Sequence, residues 1–335
     1  RKGRQRRAPD SPTRDDAVAT QDTVTQIISA VRRVIREVSG AGETAAEHCR
    51  AHDYTDPGKP RIAWDDEAAR AVLVDALVTD ALNLLGHLPE QELGERAANA
   101  VGLLALVAGQ DVEPAEDSDG RDGRWRIARR TVADRTVSTV DADARHIHKN
   151  RTRHQDGFKG HASFEPETGL FTAVALTSGY GPDNHEAAVA RDLLADEDEG
   201  RELTVLGDSA YGTGDLRAHL QADGHTLVIK PPPLRRAVPG GFTIDDFRVD
   251  SAAGTAACPA GHTANLGQVK ADGARTAQFK RACTDCPLRQ RCTTSKTGRT
   301  LNVHPQHELL TAARHQAATD PGWQADYRRW RPPVE

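Results

Sequence analysis

Between Thr20 and Val38, apolar side chains recur at three- and four-residue steps: Val24, Ile27, Ile28, Val31, Val34 and Val38. That spacing lines one face of an α-helix. The segments "AWDDEAARAVLVDALVTDALNLLG" (63–86) and "LPEQELGERAANAVGLLALVAG" (88–109) repeat the pattern, each closed by a glycine of the kind that stops a helix. Residues 17–112 therefore read as one helical block, followed by an acidic loop, "EPAEDSDGRDG" (113–123).

Beyond this loop the period shortens from 3.6 to 2. "WRIARRTV", "GFKGHASFEP" and "LFTAVALTSG" predict strands, the last two joined as a hairpin across "PETG". "NHEAAVARDLLADE" predicts a helix, "LTVLG" a buried strand, 213–223 a helix and "HTLVIK" another strand. Antiparallel strands followed by an αβαβ run make 113–235 a mixed α/β core. Residues 236–305 are rich in Gly, Thr and Cys with short strands, and 306–335 return to a helical pattern.

With 37% hydrophobic and only 4% aromatic residues among 335, the core must be built mainly from Ala, Val and Leu, over two or three domains. A net charge of −5 excludes a globally basic binder of nucleic acid. Local clusters remain: "RKGRQRR" at the start, "ARHIHKNRTRH" at 144–154 and "YRRWR" at 327–331, which together can track a phosphate backbone. No apolar run reaches 18 residues and no signal peptide opens the chain, so the expectation is a soluble, cytoplasmic protein with no membrane partner. The chain contains no Met at all, which suggests a fragment of a longer reading frame.

Four of the five cysteines cluster: Cys258, then Cys283, Cys286 and Cys292, with His262 four residues after the first. Paired spacing of this kind in an intracellular chain points to a structural Zn²⁺ held by four thiolates, with His262 as the alternative ligand. Free or redox-active thiols are the competing reading. Cys49 stands apart as a small buried hydrophobe. In "LTVLGDSAYGTGD" (203–215) a buried strand ends in a carboxylate, Asp208. The residues alone permit a helix cap or a metal ligand, and the cap is the commoner role.

Several segments occur in one order: "DSPTRDDAVATQDTVTQ", "STVDADARHIHKNRTRHQDGFKGHASFEPETGLFTAVALT", "VLGDSAYGTGDL", "CPAGHTA" with "CTDCPLRQRC", and "YRRWRPPVE". In this order the chain resembles the DDE-type transposases of bacterial insertion sequences, in the branch with a Cys-rich insertion. The resemblance implies an RNase H-like mixed-sheet core. Its first strand region would fall in 1–16, with a helical insertion at 17–112 and the main core at 113–235. A zinc-ribbon-like insertion would follow at 236–305, then a C-terminal helix region at 306–335.

The resemblance further implies three carboxylates that hold Mg²⁺ or Mn²⁺: Asp10, Asp208 and Glu335, supported by Tyr211, Tyr327 and Arg331. Pro12 lacks an N–H and is expected to interrupt sheet pairing two residues past Asp10. Arg145, Lys149, Arg151, Arg153, Arg328 and Arg329, joined by His146, His148 and His154, would face the DNA backbone. Trp323 and Trp330 would stack on a base or anchor the last helix. Asp141 and Asp143 read as a turn.

The implied partners are DNA, at inverted-repeat ends and at a target, and a second copy of the chain in a nucleoid-associated homodimer. Because Glu335 is the last residue, the expectation is a chain that is inactive as it stands. The alternative to an enzyme is a non-catalytic, zinc-containing DNA-binding remnant or regulator.

Overall fold

A computed structural model describes residues 5–15, 20–116, 118–119, 124–128, 132–148, 154–198 and 201–332. The chain divides into two compact units, with cuts after Ser11, Gly160, Ala175 and Asn184. One unit comprises the described residues up to Ser11, His161–Ala175 and those from His185 onward; the other comprises those of Pro12–Gly160 and Leu176–Asn184.

The second of these is the helical unit. Helices α1 (Thr23–Glu37), α2 (Ala41–His48), α3 (Glu67–His87) and α4 (Glu95–Gln110) surround one apolar core. The periodic residues of α1 are those that are buried: Val24, Ile27, Ile28, Val31 and Val34. Asp22 caps this helix by accepting from the Thr25 N–H. Gly86 and Gly109 do not end their helices. Each lies one residue before the last helical position, and α3 stops where Leu88 precedes Pro89. The short α2, too polar to show a periodic stripe, goes unpredicted.

Two short strands, β3 (Val112–Pro114) and β4 (Trp125–Ile127), pair antiparallel across the acidic segment. In the same unit β2 (Thr13–Asp15) and β5 (Arg145–His148) flank β6 (His154–Glu165), both antiparallel to it. Pro12 does not stop the pairing. Its carbonyl accepts from the Gly160 N–H at 3.0 Å, and β2 begins at the next residue. Only the ladder bond that the missing N–H would have made is absent.

The sheet unit is organised around two parallel pairings. Strand β1 (Gln5–Arg7) runs parallel to β8 (Leu203–Gly207), and β8 parallel to β9 (Thr226–Ile229). On the other edge of β1 the chain continues antiparallel to β6, Ala8 donating to Phe164 O and Asp10 to Ala162 O, each at 2.9 Å. β7 (Leu170–Ser178) pairs with β6, giving the order β7, β6, β1, β8, β9. This mixed α/β arrangement is consistent with an RNase H-like core.

Helices α5 (Glu186–Asp198) and α6 (Gly214–Ala222) cover one face through Ala187, Ala190, Leu194, Leu216 and Leu220, packed on Leu203, Val205, Leu227 and Ile229. On the other face Ala8, Leu206 and Val228 meet Trp323, Tyr327 and Trp330 of α9 (Pro321–Trp330). Burial on both faces explains why β8 reads as a nearly continuous apolar run.

The Cys-rich segment carries its own small core, including Phe247, Leu266, Phe279, Leu301 and Val303. It holds β10 (Arg248–Asp250), β11 (Thr255–Ala257) and β12 (Thr263–Asn265) in one antiparallel sheet, and β13 (Arg275–Gln278) with β14 (Thr300–Val303) in another. A four-residue helix α7 (Arg289–Cys292) lies between the last two strands, and α8 (His307–Thr319) follows β14. No helix among the described residues is long and apolar enough to cross a membrane.

In the helical unit the loop after α2 is held by one buried carboxylate. Asp80, 3% exposed, accepts from the backbone N–H groups of Arg50 and Ala51 at 2.7 Å each and from the Tyr54 hydroxyl at 3.0 Å. It thereby pins the loop after α2 to α3. Asp80→Ala is expected to lower unfolding stability by roughly 3 kcal/mol, because three donors lose their partner together. Urea unfolding measures this, and a loss below about 0.5 kcal/mol would show that the loop does not depend on the carboxylate.

Candidate functional site

The parallel register of β1 with β8 fixes where the two candidate aspartates stand. Gln5 pairs with Leu203 and Arg7 with Val205, an offset of 198 residues (203 − 5). Asp10 and Asp208 differ by the same 198 (208 − 10). Extended three residues past β1, this register would put Asp10 level with Asp208, on neighbouring strands about 4.8 Å apart. The carboxyl ends of parallel strands are where open α/β sheets place ligands.

Local sequence opens this position. A Cβ on Gly207 would come within 3.0 Å of Tyr211 Cβ, and one on Gly212 within 2.3 Å of Lys230 O. Only glycine lets the turn after Asp208 fold down so tightly onto the end of β9. Tyr211 is 2% exposed beneath this turn. Burial pushes its phenol above its ordinary pKa, and the neighbouring Asp10, Glu186 and Asp208 carboxylates add to the rise, against a smaller lowering from nearby Ser11. Tyr211 is therefore neutral at any ordinary pH.

Each aspartate has one oxygen engaged. Asp208 Oδ1 accepts from the Ala210 N–H at 2.8 Å, and Asp10 Oδ1 accepts from Arg331 Nη2 at 2.9 Å. The second oxygen of each accepts nothing among the described residues, which suits a hard divalent cation that prefers carboxylate oxygen. No group of three or more His, Cys, Asp or Glu side chains among the described residues is gathered closely enough to hold a metal. Glu335 lies outside them. Glu186, in the first turn of α5, is a carboxylate that sequence reasoning missed, since at that position it reads as an ordinary helix-start acid.

Arg331 caps α9, and its side chain is 2% exposed. The helix that carries it is docked by aromatics. Trp323 and Tyr327 stack at 5.2 Å with planes 8° apart, and Trp323 Nε1 donates to Leu227 O at 3.2 Å. Trp330 lies between the guanidinium groups of Arg6 and Arg329, at 4.5 and 4.7 Å from its ring centre. Both tryptophans are thus engaged in packing. Arg328 and Arg329 are exposed.

The remaining candidates fall elsewhere. Arg145 is paired with Asp134 at 2.6 Å, and His146 with Asp156 at 2.5 Å. Lys149, Arg151 and Arg153 lie outside the described residues. Asp141 accepts from the Asp143 N–H, the turn expected of that pair.

Cys258, Cys283, Cys286 and Cys292 all line one cavity of about 20 Å³, together with His262. Burial raises the Cys292 thiol's pKa; Arg299 lowers it, and the other three cysteines raise it further. The four cysteines thus share one space with room for about one water-sized occupant, but among the described residues they are not gathered closely enough to hold a metal.

A mixed sheet whose parallel strands β1 and β8 are followed by Asp10 and Asp208 defines an α/β protein with two aspartates just beyond the carboxyl ends of its strands. Two family models, each described as a transposase DDE domain, match residues 125–247 and 257–335. Each match covers less than half of the chain, and together they support a DDE-type transposase. The first takes in Asp208 and Tyr211, the second the four cysteines and Arg331, while Asp10 precedes both. No curated protein and no solved structure matches the chain.

Trp323→Ala should weaken the docking of α9 by about 2 kcal/mol, less than for a fully buried Trp because this one is half-exposed. Hydrogen exchange of the α9 amides would rise roughly 30-fold, and unchanged exchange would show that Tyr327 and Trp330 hold the helix alone.

Proposed function

We propose that this chain acts on DNA as a transposase, cutting transposon ends in a divalent-metal-dependent step and joining the freed 3′-hydroxyl to target DNA. The parallel register of β1 with β8, which extended past both strand ends brings Asp10 level with Asp208, supports this most. Bound Mg²⁺ or Mn²⁺ supplies Lewis-acid polarisation of the phosphate and an activated water or hydroxyl nucleophile. Asp10 and Asp208 would hold it through their open oxygens, with Glu335 as the third carboxylate. The Ala210 N–H fixes the Asp208 rotamer, so its free oxygen is oriented in advance. Neutral Tyr211 adds no further negative charge among the acids.

Arg328 and Arg329, exposed on α9, are suited to the DNA backbone, as are Lys149, Arg151 and Arg153 by sequence. Arg145 is already engaged by Asp134 and contributes less. Action on paired inverted-repeat ends would bring two copies of the chain together on DNA in the bacterial cytoplasm.

The four-cysteine cavity is the proposed seat of a structural Zn²⁺, tying together a segment whose own apolar core is small. His262 is the substitute ligand.

With a labelled transposon-end duplex and Mn²⁺, Asp208→Asn is expected to slow cleavage roughly 10³-fold while leaving DNA affinity unchanged. A variant that cuts at the parent rate would remove Asp208 from the chemistry. The purified chain should also carry one Zn²⁺ by elemental analysis, lost together with stability in Cys283→Ser/Cys286→Ser. Full stability of the zinc-free parent under chelation would defeat the zinc assignment.

A further inference from the structure

We propose that Arg331 is the resident counter-ion of Asp10, and that Arg331 and a divalent cation compete for that carboxylate. The inference rests on the metal-ligand role of Asp10 proposed above and deepens it.

The pair is asymmetric. Arg331 is 2% exposed on its side chain, whereas Asp10 is 33% exposed. Among the described residues only Nη2 of the guanidinium is bonded, to Asp10 Oδ1 at 2.9 Å, while Nε and Nη1 are buried with no partner there. A desolvated cation with two orphaned donors depends on its single anion. Asp10 depends less on Arg331, because water reaches it. Among the described residues Asp10 has no other ion-pair partner and Asp208 has none.

A divalent ion arriving at Asp10 therefore meets a fixed positive charge at the far oxygen of the same carboxylate. In a partly buried setting like charges at that separation oppose each other strongly. Binding either proceeds against that repulsion or loosens the guanidinium. Arg331 is the C-cap of α9, its backbone N–H bonded to Tyr327 O at 3.1 Å, so loosening it frees the end of the helix. The contact works as a latch: closed on Asp10 without metal, loosened when metal takes its place.

The test is a Mn²⁺ titration followed by electron paramagnetic resonance on the parent chain, Arg331→Met, Arg331→Lys and Asp10→Asn. Arg331→Met, which removes the charge and keeps the length, is expected to bind Mn²⁺ roughly tenfold tighter or more. Arg331→Lys keeps the charge and should stay near the parent, and Asp10→Asn should lose the site. Equal or weaker binding by Arg331→Met overturns the latch and would make Arg331 an orienting partner of Asp10. Should the parent bind Mn²⁺ through Asp10 while Arg331→Met gains nothing, the latch alone fails. Should neither the parent nor Arg331→Met bind, the metal-ligand reading fails and the latch with it. A second measurement needs no variant. Saturating Mn²⁺ should speed hydrogen exchange at the amides of Arg328–Arg331 in the parent chain, and unchanged or slower exchange would overturn the proposal.

Discussion

The parallel pairing of β1 with β8 is the constraint on which the rest of the sheet unit depends. A strand covered by helices on both faces cannot carry a charge along its length, because each would be stripped of water without a partner. β8 obeys this, with every residue from Leu203 to Gly207 buried. Charge is tolerated only where the strand leaves its cover, and Asp208 stands at that point. The 198-residue offset of the β1–β8 register, carried three residues past β1, brings Asp10 to the same level, so the sheet draws together two acids distant in sequence. Side-chain packing then needs only to hold the two strands in register.

That packing is divided between the faces. Leu203 and Val205 point to α5 and α6, Leu206 to α9, as the two-residue period of a strand requires. The α9 face is the aromatic one, in a chain with only 4% aromatic residues. Trp323, Tyr327 and Trp330 supply large apolar area where the opposite face relies on Ala and Leu, and Trp323 also donates to a strand carbonyl. Anchoring α9 in this way is what allows Arg331, at its end, to be carried under cover to Asp10.

Much of this was legible in the sequence and some was not, for definable reasons. The stripe of α1, the hairpin across Gly169 and the αβαβ run from α5 to β9 follow from periodicity, because each element buries one repeating face or runs fully covered. Asp208 stood out as a charge closing an apolar run. The helix stops at Gly86 and Gly109 were misjudged by one residue, since a glycine within the last turn does not itself break an α-helix and Pro89 was the stronger signal. The interruption expected from Pro12 failed because a proline still offers its carbonyl to a ladder. Neither the Asp80 cluster nor the Arg331–Asp10 pair leaves a local trace. The latter joins residues 321 positions apart, and no pattern within a window connects them.

The Arg331–Asp10 pair also bears on how loss of Asp10 should be interpreted. An acid that served only as a metal ligand could be neutralised with little effect on the fold, relieving repulsion among neighbouring carboxylates. Here the same acid neutralises a buried guanidinium that has no other bonded partner among the described residues, so its removal strands a charge inside the sheet unit. Chemistry and architecture converge on one side chain, at the junction of the first strand and the last described helix. An inactive Asp10 variant would therefore report on both at once, whereas Asp208, held among the described residues only by a backbone N–H, separates the proposed catalytic role from the structural one.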